Sequence, residues 1–383
     1  MAATTGEMGV YRLVRSLSRP GGGGLPLRFG RALRPVLLVA LTLANAGFSN
    51  VEERGGALRA AYAGPPASWP RPDIDADVAF VEMGVPPPPA PSGPKALLGA
   101  KLFADPRLSE DGQVACASCH DSDHEFSVPE RVGRGIGGVK GRRNPPSLQL
   151  VASRTLFDWD GRGRDLSARV LAPLNDPTEM GCDLNSALAR IARTELEGDF
   201  RAVFGAEGLT VRTLAEALAA YLNTIDTPTR IDRFIEGDQA ALNDTELVGL
   251  HLFRTKARCM NCHFGPTLSD GLFHNLRLSF FGEPAQDLGR FEATDRRDDV
   301  GRFRTPFLRH IGASQPYMHN GLFPTLAGVV NFYDRGGGEV WARNAEEAAR
   351  PLYPDAARLS PHIRPLGLTE AEKAALVAFL NAL

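Results

Sequence analysis

Cys116-Ala-Ser-Cys119-His120 and Cys259-Met-Asn-Cys262-His263 are the two stretches on which the reading of this chain turns. C-x-x-C-H is the attachment signature of c-type haem. The two thiols form thioethers with the haem vinyl groups, and the adjacent histidine gives its imidazole to the iron. The 383-residue chain has five cysteines, four of them in these two pentapeptides, which excludes a scatter of structural thiols. The competing reading is zinc held by paired C-x-x-C knuckles. Structural zinc gathers its ligands from a short stretch of chain, whereas these motifs lie 143 residues apart. Two covalent c-type haems are therefore expected, one on Cys116, Cys119 and His120, the other on Cys259, Cys262 and His263. The fifth thiol, Cys182, reads as a small packed hydrophobe.

Each motif is preceded by the same short phrase. Gly99-Ala-Lys-Leu102-Phe103 comes before the first and Gly249-Leu-His-Leu252-Phe253 before the second, 150 positions later. Such self-similarity points to duplicated units. Leu and Phe three and four places after the Gly share one helical face, which is expected to pack on the porphyrin. Val211–Leu222 carries Leu214, Leu218 and Leu222 at helical spacing, and Thr369-Glu-Ala-Glu372 is a capping box that opens a last helix. Strand alternation is scarce, and 40 Gly and 29 Pro punctuate the chain into long loops. The expected fold is mainly α: two cytochrome c-like haem domains with long loops and little strand. The boundaries fall at 1–46 for a signal peptide, 47–93 for a Pro/Gly-rich lead-in, 94–236 for the first haem domain and 237–383 for the second. The lead-in reads as extended or disordered, and the last helix is a candidate to pack back on the first domain.

The signal reading rests on Arg28, Arg31 and Arg34, the apolar run Val36–Leu43 and Ala44-Asn45-Ala46, with cutting expected before Gly47. The apolar run is too short to span a bilayer, and no later segment is long enough. A periplasmic mature protein with no membrane span is expected. A formal net charge of −2 argues against non-specific binding to nucleic acid.

What each haem does depends on its sixth ligand, because two strong axial ligands suit electron transfer and an open position suits peroxide chemistry. His124, His251, His274, His310, His319 and His362 remain as candidates, with Met180, Met260 and Met318. In its ordered motifs the chain resembles the bacterial dihaem cytochrome c peroxidases, and more closely their MauG-like branch. Beside the haem motifs these are Gly141-Arg-Arg-Asn-Pro-Pro-Ser-Leu148, Asp158-Trp159-Asp160-Gly161-Arg162 and Pro177-Thr-Glu179-Met180-Gly181. Further on come Phe303-Arg-Thr-Pro306-Phe-Leu308-Arg309, Pro316-Tyr-Met-His319-Asn-Gly321 and Val330-Asn-Phe-Tyr333-Asp-Arg-Gly-Gly337. The matches run over residues 70–383.

The resemblance implies an exported peroxidase that reduces hydrogen peroxide at the N-terminal haem with electrons relayed through the C-terminal haem. It implies Trp159 as the bridge between haems and Glu179 as the distal carboxylate that moves a proton during O–O cleavage. Three positions depart from the better-known members. Arg134 stands where they place a histidine that closes the peroxide iron, and a guanidinium offers no lone pair to iron. Arg169 stands in place of a distal glutamine. Tyr333 stands where they ligate the relay iron with methionine, with Met318 as the rival ligand. His319 is expected to orient a propionate or backbone group. A calcium ion is also implied, on Asn144 and carbonyls near Arg304 and Pro306, in keeping with its preference for oxygen. The electron donor would be a small redox protein, a cytochrome c or a cupredoxin. Two alternatives stand beside this reading: a MauG-like enzyme that oxidises a protein substrate, and a non-catalytic dihaem electron carrier.

Overall fold

The computed structural model describes residues 54–383, so the stretch read as a signal peptide, 1–46, lies outside them. The described chain is mostly helical. Its one sheet is a two-stranded antiparallel ribbon pairing Phe273–Asn275 with Arg302–Arg304, in the register Phe273 to Arg304. Among the described residues no helix is long and apolar enough to cross a membrane.

Two crossed helix pairs organise the fold, and the repeated phrase ahead of each haem motif explains both. The Pro94–Phe103 helix packs on Val211–Leu222, and Asp244–Arg254 packs on Glu370–Leu380. A Cβ on Gly99 would come within 1.9 Å of the Ala217 carbonyl oxygen, and one on Gly249 within 2.1 Å of that of Ala375. Only glycine lets these backbones touch. The echo thus marks a close approach of two helices, a meaning that periodicity alone did not reveal. Local chemistry starts and orients the helices. Pro94 occupies the first turn of its helix, where a missing N–H loses nothing. Thr210, Asn243 and Thr369 cap theirs, and the last two are completed by Glu246 and Glu372 reaching back to the cap amide.

Two hydrophobic clusters form around these pairs. One gathers Leu98, Leu102, Phe103, Leu214, Leu218 and Ile225, with Cys182 fully buried among them and the Arg190 guanidinium against its sulfur. The other gathers Leu250, Phe253, Leu376 and Phe379 together with Tyr62, Trp69 and Met83. The last helix packs within this second cluster, which also takes in Ile231 and Phe234, and the Ile231 amide donates to the Ala382 carbonyl at 3.2 Å. Tyr62, Trp69 and Met83 come from the lead-in, which is helical over 54–61, makes a 3₁₀ turn at Pro66–Ser68 and is largely extended beyond it, strapped over the second half of the chain. The Arg254 side chain, fully buried, is what the strap closes on. It donates to Glu82 at 2.5 and 3.0 Å and to the Pro70 carbonyl at 3.0 Å, and lies over the Trp69 ring. A buried cation of this kind is tolerated because its two terminal nitrogens are paired and hydrogen-bonded, although its Nε has no partner.

Candidate haem sites and the space between them

Both C-x-x-C-H motifs fold alike. Cys116–Ser118 and Cys259–Asn261 are each one 3₁₀ turn, closed by the His120 amide on the Cys116 carbonyl at 3.0 Å and the His263 amide on the Cys259 carbonyl at 2.9 Å. In each histidine, Nδ1 is bound to a loop carbonyl, Phe126 at 3.0 Å for His120 and Leu268 at 2.9 Å for His263. That fixes the tautomer and leaves Nε2 as the free lone pair, which is what an axial ligand needs. Burial pushes the His120 imidazole down to about 4 and lowers that of His263 as well, so both are neutral donors.

A large cavity lies against the second motif. It is lined by Cys259, Cys262, His263, Tyr333 and Met318, and it extends to Trp159 and Asn144 from the first half of the chain. Tyr333 sits on the Leu326–Asp334 helix, and burial pushes its hydroxyl pKa up, with the neighbouring Cys262 and Cys259 thiols adding to the push. Two arginines also line this space. Burial lowers Arg154 to about 9 and Arg304 to about 10, and for both the nearest opposing charge is Asp158. Arg154 donates to the Ser147 carbonyl at 2.6 Å, but its Nε has no partner, and the buried Nε2 of His319 has none either. Donors left over in an apolar cavity suit an anionic group, and haem carries two propionates. These residues therefore fit haem, and Arg154, Arg304 and His319 are the groups that would meet its carboxylates. Neither arginine was singled out for this role from sequence, although Arg304 lies inside a quoted motif.

Trp159 is buried at the join. Its Nε1 donates to the Asn144 carbonyl at 2.8 Å, its carbonyl accepts from the Arg304 amide at 2.8 Å, and its ring meets His319 edge-on at 6.4 Å. His319 in turn stacks on Phe303 at 3.5 Å. Burial pushes His319 down to about 3. The turn that carries Trp159 is held by Asp160, which is fully buried. Burial raises the Asp160 carboxyl, but Arg162 and Arg143 outweigh it and keep it ionised.

On the side of the first motif, the loop 133–136 lies against Glu179. Ile136 donates to the Glu179 carbonyl at 2.8 Å, and a Cβ on Gly133 would come within 2.8 Å of Cys119 Sγ. The Arg134 carbonyl is 3.9 Å from that sulfur, while its side chain is exposed. Glu179 keeps an open surface, yet protein crowds its carboxyl enough that burial raises its pKa; Arg169 pulls the other way, and Asp176 and Asp158 add to the rise. Its charge reaches Cys116 and Cys119. Arg169 is itself tied to Asp158 at 2.6 Å. Asn144 is buried, its Nδ2 on the Arg131 carbonyl at 3.2 Å, and no donor among the described residues reaches its Oδ1; Pro306 lines the same cavity. Of the other candidate ligands, His124 Nδ1 is on Asp121 at 3.2 Å, and Met180 is buried in the first cluster.

The family model described as di-haem cytochrome c peroxidase matches residues 93–240. The cytochrome-c peroxidase IdrP2 of Denitromonas iodatirespirans is 32% identical over 314 residues, covering 75% of this chain and 80% of that one. The methylamine utilization protein MauG of Methylorubrum extorquens is 34% identical over 296 residues, covering 76% and 78%. Among solved structures, the diheme peroxidase BthA from Burkholderia thailandensis superimposes with a TM-score of 0.66 at 27% identity, over 83% of this chain and 94% of that one.

Proposed function

Because this chain belongs to the di-haem cytochrome c peroxidase family, we propose that it reduces hydrogen peroxide at the haem of Cys116, Cys119 and His120, with electrons relayed through the haem of Cys259, Cys262 and His263. The family makes it an oxidoreductase acting on peroxide and implies two c-type haems. The division of labour between them is our reading. When bound, haem iron supplies the oxidation–reduction chemistry and the coordination site for a peroxide oxygen.

One observation carries that division: the two histidines have different company. Tyr333 and Met318 share the cavity of His263, and either can ligate iron. Around Cys116 and Cys119 lie the Glu179 carboxyl and a loop whose Arg134 cannot ligate, which supports peroxide chemistry there. Glu179 takes the proton from the inner peroxide oxygen and delivers it to the outer one, which a carboxyl with a raised pKa can do. Arg169 tempers that pKa. Trp159 lies on the line between the halves, its indole anchored to Asn144 on one side and against His319 on the other. Asn144 Oδ1 with carbonyls near Arg304 and Pro306 would hold calcium at this join. The mature chain works in the periplasm, and a small redox protein, a cytochrome c or a cupredoxin, donates the electrons.

Stopped-flow mixing of the fully oxidised holoenzyme with hydrogen peroxide tests the reading. Reaction at once, without a lag or prior one-electron reduction, is expected. Reaction only after half-reduction would mean that another ligand closes the first iron.

A second reading shares the same chemistry but draws its electrons from side chains of a protein substrate, as the likeness to MauG suggests. Tyr333 favours it, since a phenolate ligand lowers haem potential and so suits a haem that stays oxidising. Tyr333→Phe should raise the second haem's potential and change its low-spin spectrum. If spectroelectrochemistry finds both unmoved, Met318 is the ligand and the small-donor reading gains.

A further inference from the structure

We infer that His310, which belongs to the second half of the chain, is a positioning residue for the first haem, because through Glu125 it holds the loop whose carbonyl orients His120. The inference rests on His120 being an axial ligand and not on which haem meets peroxide.

The imidazole of His310 is almost enclosed, its side chain 8% exposed. Nδ1 faces Glu125 Oε2 at 3.2 Å, and Nε2 faces the Thr227 carbonyl at 3.0 Å and the Asp226 carboxylate at 3.6 Å. Its backbone is held too: φ is 62°, in the left-handed region, and its amide donates to Leu383 at the chain terminus at 2.5 Å. One residue therefore ties together the loop behind the first haem motif and the segment joining the two halves through its side chain, and the C-terminal end through its backbone. Oxygen atoms stand against both ring nitrogens.

The loop it holds is under constraint. Glu125 and Phe126 have successive positive φ angles, 53° and 55°, a conformation that residues with side chains adopt only where their surroundings enforce it. The enforcement comes through Glu125. Its Oε2 accepts from Gln149 at 2.7 Å as well as facing His310, and its carbonyl accepts from Ser147 at 2.5 Å. The result is the aim of the next carbonyl, that of Phe126, at His120 Nδ1, 3.0 Å away. A hydrogen bond to Nδ1 makes the imidazole a stronger donor through Nε2, so it sets how electron-rich the iron is. The second half of the protein thereby has a grip on the first iron that passes through no bound group.

The test uses the holoenzyme and three variants, His310→Leu, Glu125→Gln and the double. Resonance Raman of the reduced protein reads the first haem's iron–histidine stretch, and spectroelectrochemistry reads both potentials. Each single substitution should lower that stretch and raise the first haem's potential, leaving the second haem's potential in place. The double should do no more than either single, because both cut one chain of contacts. His310→Gln, which keeps a donor, should recover part of the shift. An unmoved stretch and potential in His310→Leu protein carrying both haems would overturn the inference, as would additive effects in the double. If His310→Leu does not fold, Glu125→Gln decides by the same two readouts. Lost peroxide turnover with an unmoved stretch also overturns it, while leaving the roles of the two haems untouched.

Discussion

The His120→Gly protein should show no reaction of its first haem with hydrogen peroxide. The haem stays tethered, since Cys116 and Cys119 carry the thioethers, but the iron loses its one strong protein donor. The structure gives that donor every property the role requires: Nδ1 is fixed on Phe126, and burial keeps the ring neutral at about 4. The absorption spectrum of the second haem should be unchanged. Stopped-flow mixing and a haem count per chain check both statements together. Full peroxide turnover in a protein that retains two haems would mean that the other iron is the reactive one.

Glu179→Gln should slow the same reaction by about 100-fold, the usual loss when a positioned proton carrier is removed. A pH profile separates this from a structural effect. Burial raises the Glu179 carboxyl above the ordinary glutamate value of about 4.3. The group must be ionised to accept the peroxide proton, and a raised pKa means it picks up its own proton at higher pH. The wild-type rate should therefore fall on the acid side at a pH above that ordinary value, and this limb should vanish in the Gln variant. Arg169 opposes the rise, so Arg169→Leu should move the limb to still higher pH. An acid limb that survives in Glu179→Gln would assign the proton transfer elsewhere.

The parts of this protein that could be read in advance are those where one residue type in one spacing has one use. The two C-x-x-C-H runs, the capping box at Thr369 and Glu372 and the helical stripe at Leu214, Leu218 and Leu222 are local and answer to local rules. The repeat of Gly99 and Gly249 was visible, but its packing role was not, because it depends on Ala217 and Ala375 in distant helices. Trp159, Glu179 and Tyr333 stand out in sequence through family motifs, and their partners do not. Arg154 looks like any loop arginine until the chain folds it beneath Ser147. His310 has nothing around it in sequence to mark it; its partners Glu125 and Asp226 come from two other segments. The lead-in was misjudged in part for a related reason. A run rich in Pro and Gly suggests loose chain, but Trp69, Met83 and Glu82 only make sense beside Arg254.

That lead-in bears on the order in which the protein is made. The Asp75 amide donates to Asn261 Oδ1, 186 residues away, and its carboxylate pairs with Arg258; the Val81 carbonyl accepts from the Gly265 amide. These contacts flank Cys259 and Cys262 on both sides. The segment that emerges early from the ribosome thus has no seat until the chain has grown past residue 265, and closing so long a loop is slow. On the proposed reading, this separation would leave Cys259 and Cys262 uncovered for haem attachment until the strap closes.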